Sequence, residues 1–138
     1  MTKHLELSLV PCTSDYWEFV RMLRTDPRVI GGFIQQHAIS ADEQIDFMKD
    51  HWHEYFIALK DQRDPCGFVG VIDGDIRVCT HPDYQGVGVG KFMIQEITKR
   101  FPNAVAKIKT ENAASKALFE ASGFENTFLI YQKKTSGS

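Results

Sequence analysis

The 138-residue chain contains no apolar run long enough to cross a bilayer. Its first residues, Met1 to Leu7, lack the apolar core of a signal peptide, so neither insertion nor export is expected. Cysteine is scarce. Cys12, Cys66 and Cys79 are odd in number, far apart and without metal-ligand spacing. A disulfide framework and a metal site are therefore not expected, and reduced thiols in a cytoplasm fit best. There is no long basic block, and the formal net charge is −2, which argues against nucleic acid or an anionic membrane surface as partner. Internal repeats and linkers are absent as well. What is present is an ordinary globular composition, 43% hydrophobic and 25% charged, in a length that suits one domain with one core. Residues 1–133 are expected to form that domain. The small, polar end from Lys134 to Ser138 is expected to fray.

The periodicities predict an alternating order of elements. Leu5, Leu7 and Leu9 alternate in a strand that ends at Pro11. Thr13 or Ser14 can cap a helix reaching Arg24, and Asp26-Pro27 breaks it. The stretch around Gly31-Gly32 has no clear period. Ser40 followed by Glu43 forms a capping box for a second helix, running to about His53. Tyr55 to Lys60 and Gly67 to Ile72 read as strands. Asp73-Gly74 is a strong hairpin signal, and Ile76 to Thr80 pairs back. Val89, Met93, Ile97 and Phe101 recur at helical spacing, and Lys99 and Arg100 suit that helix's negative end. Val105 to Lys109 reads as a short strand. Asn112 can cap a helix with Ala114, Ala117, Leu118 and Ala121 on one face; Gly123 stops it and Phe124 packs back over the stop. Phe128 to Gln132 reads as a last strand. The fold class is α+β: one mixed sheet layered with helices, in the order β-α-α-β-β-β-α-β-α-β.

The run from Asp83 to Lys91 carries most of the functional information. Gly86, Gly88 and Gly90 alternate after a strand and open a helix. Glycine lets the backbone turn tightly and come close to a bound group, and the first helical turn offers unpaired N–H groups and the positive end of a dipole. Such a junction is suited to a phosphate. Two well-known phosphate loops do not fit. The P-loop pattern would need glycine where Gln85 stands and Ser or Thr where Phe92 stands. The dinucleotide pattern would need glycine at Lys91 or Met93, and it opens a parallel unit, whereas this loop follows a hairpin.

The segment Gln85-Gly86-Val87-Gly88-Val89-Gly90 resembles the signature of the GNAT superfamily of N-acetyltransferases, Gln or Arg, two residues, Gly, one residue, Gly or Ala. The lead-in Thr80-His81-Pro82-Asp83-Tyr84 is similar to that family's approach to the loop. Asn112, Ala113, Ser115, Ala117, Leu118 and Phe119, followed by Gly123-Phe124, resemble its second motif. The resemblance implies a mostly antiparallel central sheet with helices on both faces, and acetyl-CoA as cosubstrate with no metal. It implies that Gln85 belongs to the cofactor-binding loop and that main-chain amides from Gly86, Val87, Gly88, Val89, Gly90 and Lys91 hold the pyrophosphate. It implies too that Val78, Cys79 and Thr80 on a splayed strand take the pantetheine arm, and that Asn112 and Phe119 border it.

The catalytic groups are less patterned. In the family a tyrosine commonly protonates the departing thiolate, and Phe119 occupies that position here. Ser115, Tyr131 or water could substitute. Asp75 and Asp73 lie where some members place a basic carboxylate, although Asp73 also fits a plain hairpin turn. His51, His53, His81 and Glu111 have structural readings, and Cys79 as an acyl carrier competes with its reading as a small core residue. Trp17, Arg21, Arg24, Arg28, Phe33, His37, Trp52 and Tyr55 mix aromatics and cations on the expected acceptor side. The expected function is acetyl transfer from acetyl-CoA to a primary amine of a small metabolite, for instance an amino sugar, by direct attack in a ternary complex. A protein amine as acceptor, a non-catalytic acyl-CoA sensor and a nucleotide-phosphate binder stay open. So does a homodimer.

Overall fold

The computed structural model describes residues 6–29 and 40–134. Phe33, His37, the Gly31-Gly32 stretch, the start of the first strand and the last four residues of the expected tail lie outside the described residues. Four antiparallel strands form one sheet in the order β1 (Leu7–Pro11), β2 (Tyr55–Lys60), β3 (Asp64–Ile72), β4 (Asp75–Thr80). Between β1 and β2 come the helices α1 (Trp17–Thr25) and α2 (Ala41–His51); α3 (Val89–Arg100) and α4 (Ala113–Ala121) follow β4. No described helix is long and apolar enough to cross a membrane.

Strand alternation sorts the core into two layers. Ile57, Leu59, Phe68 and Cys79 meet Val20 and Leu23 of α1 and Met48 of α2 on one face. Ala58, Val69, Val71 and Ile76 meet Val89, Met93, Ile94 and Ile97 of α3 on the other. An interior strand buried on both faces needs a near-continuous apolar run, and β3 supplies one, buried throughout from Cys66 to Ile72. Asp73 and Gly74 close the β3–β4 hairpin with φ of 52° and 81°, the paired positive values of a tight type I′ turn.

The local stop and start signals were legible with one exception. The Ser40 hydroxyl accepts from Glu43 N at 3.1 Å, and Asn112 Oδ1 accepts from Ser115 N at 3.1 Å. At the end of α4, Phe124 N donates to Phe119 O at 2.9 Å and Gly123 takes φ of 96°. Neither Thr13 nor Ser14 caps α1 with its side chain. A 3-10 turn, Ser14–Tyr16, leads into α1 instead.

Two expected strands do not form. Residues 105–109 make a single parallel bridge, Val105 to Asp75, and then leave the sheet. Residues 128–132 join no ladder, and Phe128, Leu129, Ile130 and Tyr131 are 84, 68, 74 and 89% exposed. Apolar content marks a segment that can be a strand, but a ladder needs a neighbouring edge in register. Residues 128–132 are in register with neither edge strand of the sheet, β1 or β4. Of the expected apolar face of α4, Ala114, Ala117 and Ala121 are exposed and Leu118 is half-buried, and α4 anchors itself through Leu118 and buried Phe119.

Ile97→Ala, which empties a fully buried position, should cost about 2–5 kcal/mol. Phe128→Ala should stay within about 0.5 kcal/mol, as an exposed substitution does. Urea unfolding of both variants checks the pair, and an equal loss at the two positions would mean that Phe128 packs against something.

Candidate functional site

The loop after β4 is built for close approach. His81 ends the strand, with its N–H on Cys66 O at 2.8 Å and its Nδ1 accepting from Asp83 N at 3.1 Å. Its ring stacks over Phe19 and meets Tyr84 edge-on. His81 therefore anchors the start of the loop, in keeping with its structural reading. Gly86 and Gly88 take φ of 80° and 94°, and Gly88 is the residue from which α3 starts. A Cβ built on either would meet nothing within 4 Å, so the loop's outer surface is open. Gly90 differs. It is buried, and a Cβ there would come within 2.9 Å of Leu118 and 3.3 Å of the Thr80 hydroxyl. Gly90 thus lets α4 and β4 close in around the start of α3.

No acceptor among the described residues meets the amides of residues 86–91 in hydrogen-bond geometry. The first turn of α3 carries no carboxylate, while Lys99 and Arg100 occupy its last turn. The loop therefore combines unpaired donors with an uncompensated positive helix end, an arrangement that favours an anion.

β4 continues this line of free donors. Ile76 N donates to Val105 O at 2.8 Å and Val105 N donates to Gly74 O at 2.9 Å. Beyond that bridge the two segments part. Successive amides of a strand point to opposite edges, so the N–H groups of Val78 and Thr80 face the gap on the same side as Ile76. By the same alternation the Cys79 amide faces β3. A cleft of about 280 Å³ opens in the gap between β4 and residues 106–108, with Asn112, Ser115 and Phe119 of the α4 region on its wall.

The cleft gathers some expected residues and leaves others out. Asp75 and Ser115 line it, but Asp73 does not. Asp73 sits in the hairpin turn, beside a separate open depression shared with Arg100 and Pro102. Asp75 Oδ2 is 3.0 Å from Lys107 Nζ. Tyr131 lies outside, fully in solvent, and is not a proton donor for this cleft. Cys79 is buried, its Sγ directed at Thr80 O at 3.9 Å, and burial pushes its thiol up to about 12. Burial also pushes Cys12 to about 12 and Cys66 to about 11. A protonated, enclosed thiol is a poor nucleophile, which leaves Cys79 as a core residue. His51 pairs with Glu54 at 3.1 Å and stacks on Phe47, and His53 approaches the same carboxylate at 3.8 Å. Both keep their structural roles outside the cleft.

The arginines of α1 separate in function. Arg21 is clamped to Glu18, and Arg28 to Asp26 at 2.8 Å with Asp83 at 3.4 Å. The Arg28 guanidinium holds the Asp26 carboxyl down at about 2. Arg24 instead reaches the cleft wall beside Tyr55, Phe68 and Arg77. Arg77 and Lys107 had no role in the sequence reading. The signal for Arg77 was available: it shares strand parity with the buried Cys79, and a cation on the core side of a strand asks for an explanation.

The acetyltransferase (GNAT) domain family matches residues 51–126, more than half of the chain. Among solved structures the chain resembles a spermidine N-acetyltransferase from Vibrio cholerae in complex with CoA and spermine. The TM-score is 0.78 at 19% identity, over 95% of this chain and 88% of that one. A putative acetyltransferase from Salmonella typhimurium with its cofactor acetyl-CoA gives 0.73 at 15% identity, over 88% and 81%. The aminoglycoside N-acetyltransferase AAC(6')-Iy in complex with CoA gives 0.70 at 17% identity, over 99% of each chain. No curated protein sequence matches significantly. With its glycine loop at a helix start and its parted fourth strand, the chain belongs to the GNAT acetyltransferase family.

Proposed function

We propose that the protein transfers an acetyl group from acetyl-CoA to the primary amine of a small molecule, by direct attack within a ternary complex. The observation that carries this reading is two sets of unpaired amides, residues 86–91 and the pair Val78 and Thr80, which come together where Gly90 meets Thr80 and lead into the cleft beside β4. The residues present fit the cosubstrate. The loop amides would hold the pyrophosphate, each charge-assisted hydrogen bond being worth about 1.5–3 kcal/mol. The Val78 and Thr80 amides would hold the pantetheine arm, and in the cleft a free donor near the thioester oxygen would stabilise the charge that develops there. Acetyl-CoA supplies the activated acyl group.

The chain's own task is to manage protons. An alkyl amine with a pKa near 10 is neutral in roughly one molecule per thousand at pH 7, and only the neutral form attacks. Asp75, in the cleft and held by Lys107, is the carboxylate we assign to accept the amine's proton, directly or through a water. The departing thiolate needs a proton in return. Phe119 has none to give, so Ser115, on the same wall, or solvent supplies it. Neighbours such as the aminoglycoside N-acetyltransferase are in keeping with a small amine as acceptor. Phe119 also favours a second reading, an acyl-CoA sensor that binds without turnover.

A thiol-release assay with acetyl-CoA across a panel of amines separates the two: release with any amine sustains the transferase, and binding of CoA without release from any amine sustains the sensor. In the same assay Asp75→Asn should lower kcat at least tenfold and displace the rising limb of the pH–rate profile; an unmoved profile removes Asp75 as the base. Gly88→Val should weaken CoA binding at least about tenfold, or about 1.4 kcal/mol. Its left-handed φ resists a branched residue and its open face would receive the side chain. Calorimetric titration of CoA checks this, and an unchanged Kd would place the pyrophosphate elsewhere.

A further inference from the structure

On the assumption that the cleft holds the acceptor amine, we infer that the acceptor also carries an anionic group, a carboxylate or a phosphate, which Arg24 and Arg77 receive. Arg24 is half-buried on the cleft wall next to buried Tyr55, and Arg77 stands across from it on β4. Neither guanidinium has a carboxylate within ion-pair distance or a hydrogen-bond acceptor among the described residues, while their neighbours Arg21 and Arg28 are both clamped. Burying a cation without a partner is costly. Desolvation, with a further push from Arg77, accordingly lowers the pKa of Arg24.

The missing counter-charge has no source in the rest of the chain near at hand. Residues 30–39, which follow α1 in sequence, contain no Asp or Glu. Asp75, the acidic residue of the cleft, is already matched by Lys107. The cleft wall thus carries two positive charges without an ion-pair partner, one on half-buried Arg24 and one on exposed Arg77.

The phosphates of the cosubstrate do not account for them. The open loop leads into α3, on the face of the sheet built around Val89 and Met93. Arg77 has the parity of Cys79, which belongs to the opposite layer with Val20 and Leu23 of α1. The two arginines therefore address the gap from the α1 side, opposite the helix that receives the pyrophosphate. A guanidinium pair recognises planar carboxylate or tetrahedral phosphate oxygens through charge-assisted hydrogen bonds. It would repel a second ammonium, so a polyamine is the acceptor this wall is least suited to.

Four primary amines with the same two-carbon spacing test the inference: O-phosphoethanolamine, β-alanine, ethanolamine and 1,2-diaminoethane, each assayed with acetyl-CoA. At least one of the two anionic amines should show kcat/KM at least tenfold above ethanolamine, with the diamine lowest; which of the two leads tells phosphate from carboxylate. Arg24→Met should lower the anionic-to-neutral ratio tenfold or more, chiefly through KM, and Arg24→Lys should restore part of it. Arg77→Gln, at an exposed position that tolerates change, should lower the ratio in the same sense should Arg24→Met fail to fold. Equal or better turnover of the diamine, or a ratio unmoved by all three substitutions, overturns the inference while leaving the transferase intact. If no amine releases CoA, the transferase reading falls, and the anion site is decided by thermal shift. O-Phosphoethanolamine should raise the melting temperature of the wild type more than that of Arg77→Gln, and equal shifts overturn it.

Discussion

Two hydrogen bonds decide where this sheet stops being a sheet. Ile76 N to Val105 O and Val105 N to Gly74 O tie the start of β4 to the next segment of chain, and past them the ladder ends. Had it continued, the amides of Val78 and Thr80 would be consumed in strand pairing and no cleft would exist. Backbone groups left out of a ladder must find water or another partner. An interrupted edge is therefore a row of donors in waiting, and it is stable only because the rest of β4 is fully paired to β3 along its other side. The site depends on that asymmetry: one edge of the strand is structural and the other is available.

The alternation of side chains then divides the work between the two faces of the sheet. On the α3 side, Gly90 draws α4 and Thr80 in around the glycine loop, so the anion-receptive helix start and the free edge form one surface. On the α1 side, Arg24, Tyr55 and Arg77 converge on the same gap. The gap is the one place where both faces communicate. A donor approaching from one side and an acceptor from the other can meet there without either crossing the core.

What could be read in advance follows from how local each determinant is. The glycine loop, the Asp73-Gly74 turn, the caps at Ser40 and Asn112 and the Gly123 stop each depend on a few consecutive residues, and all were legible. Residues 105–109 and 128–132 had strand character, but whether they pair depends on partners far away in sequence, and periodicity holds no information about that. The expected α4 face is met only at Leu118, which is half-buried, while Ala114, Ala117 and Ala121 are exposed. At the site, Asp73 and Asp75 were both candidate carboxylates two positions apart, with Asp73 also fitting a plain turn. The turn residue faces away, and only the strand residue enters the cleft. Arg21, Arg24 and Arg28 likewise looked alike until their carboxylate partners were located in space.

The replacement of a hydroxyl donor by Phe119 weighs less than it first suggests. One pKa unit corresponds to 1.36 kcal/mol. Freeing an alkyl amine with a pKa near 10 at pH 7 therefore costs about 4 kcal/mol, whereas a thiolate of pKa about 8.5 lies only about 2 kcal/mol from its neutral form. The costly proton is the one that leaves the amine. An anionic substituent on the acceptor would make it costlier, because a nearby negative charge holds the ammonium form. Arg24 and Arg77, by neutralising that substituent, would return the amine towards its ordinary basicity and add a like-charge push against protonation. Binding the anion and freeing the nucleophile then become one electrostatic act, located on the α1 wall of the cleft and not at the position where Phe119 stands.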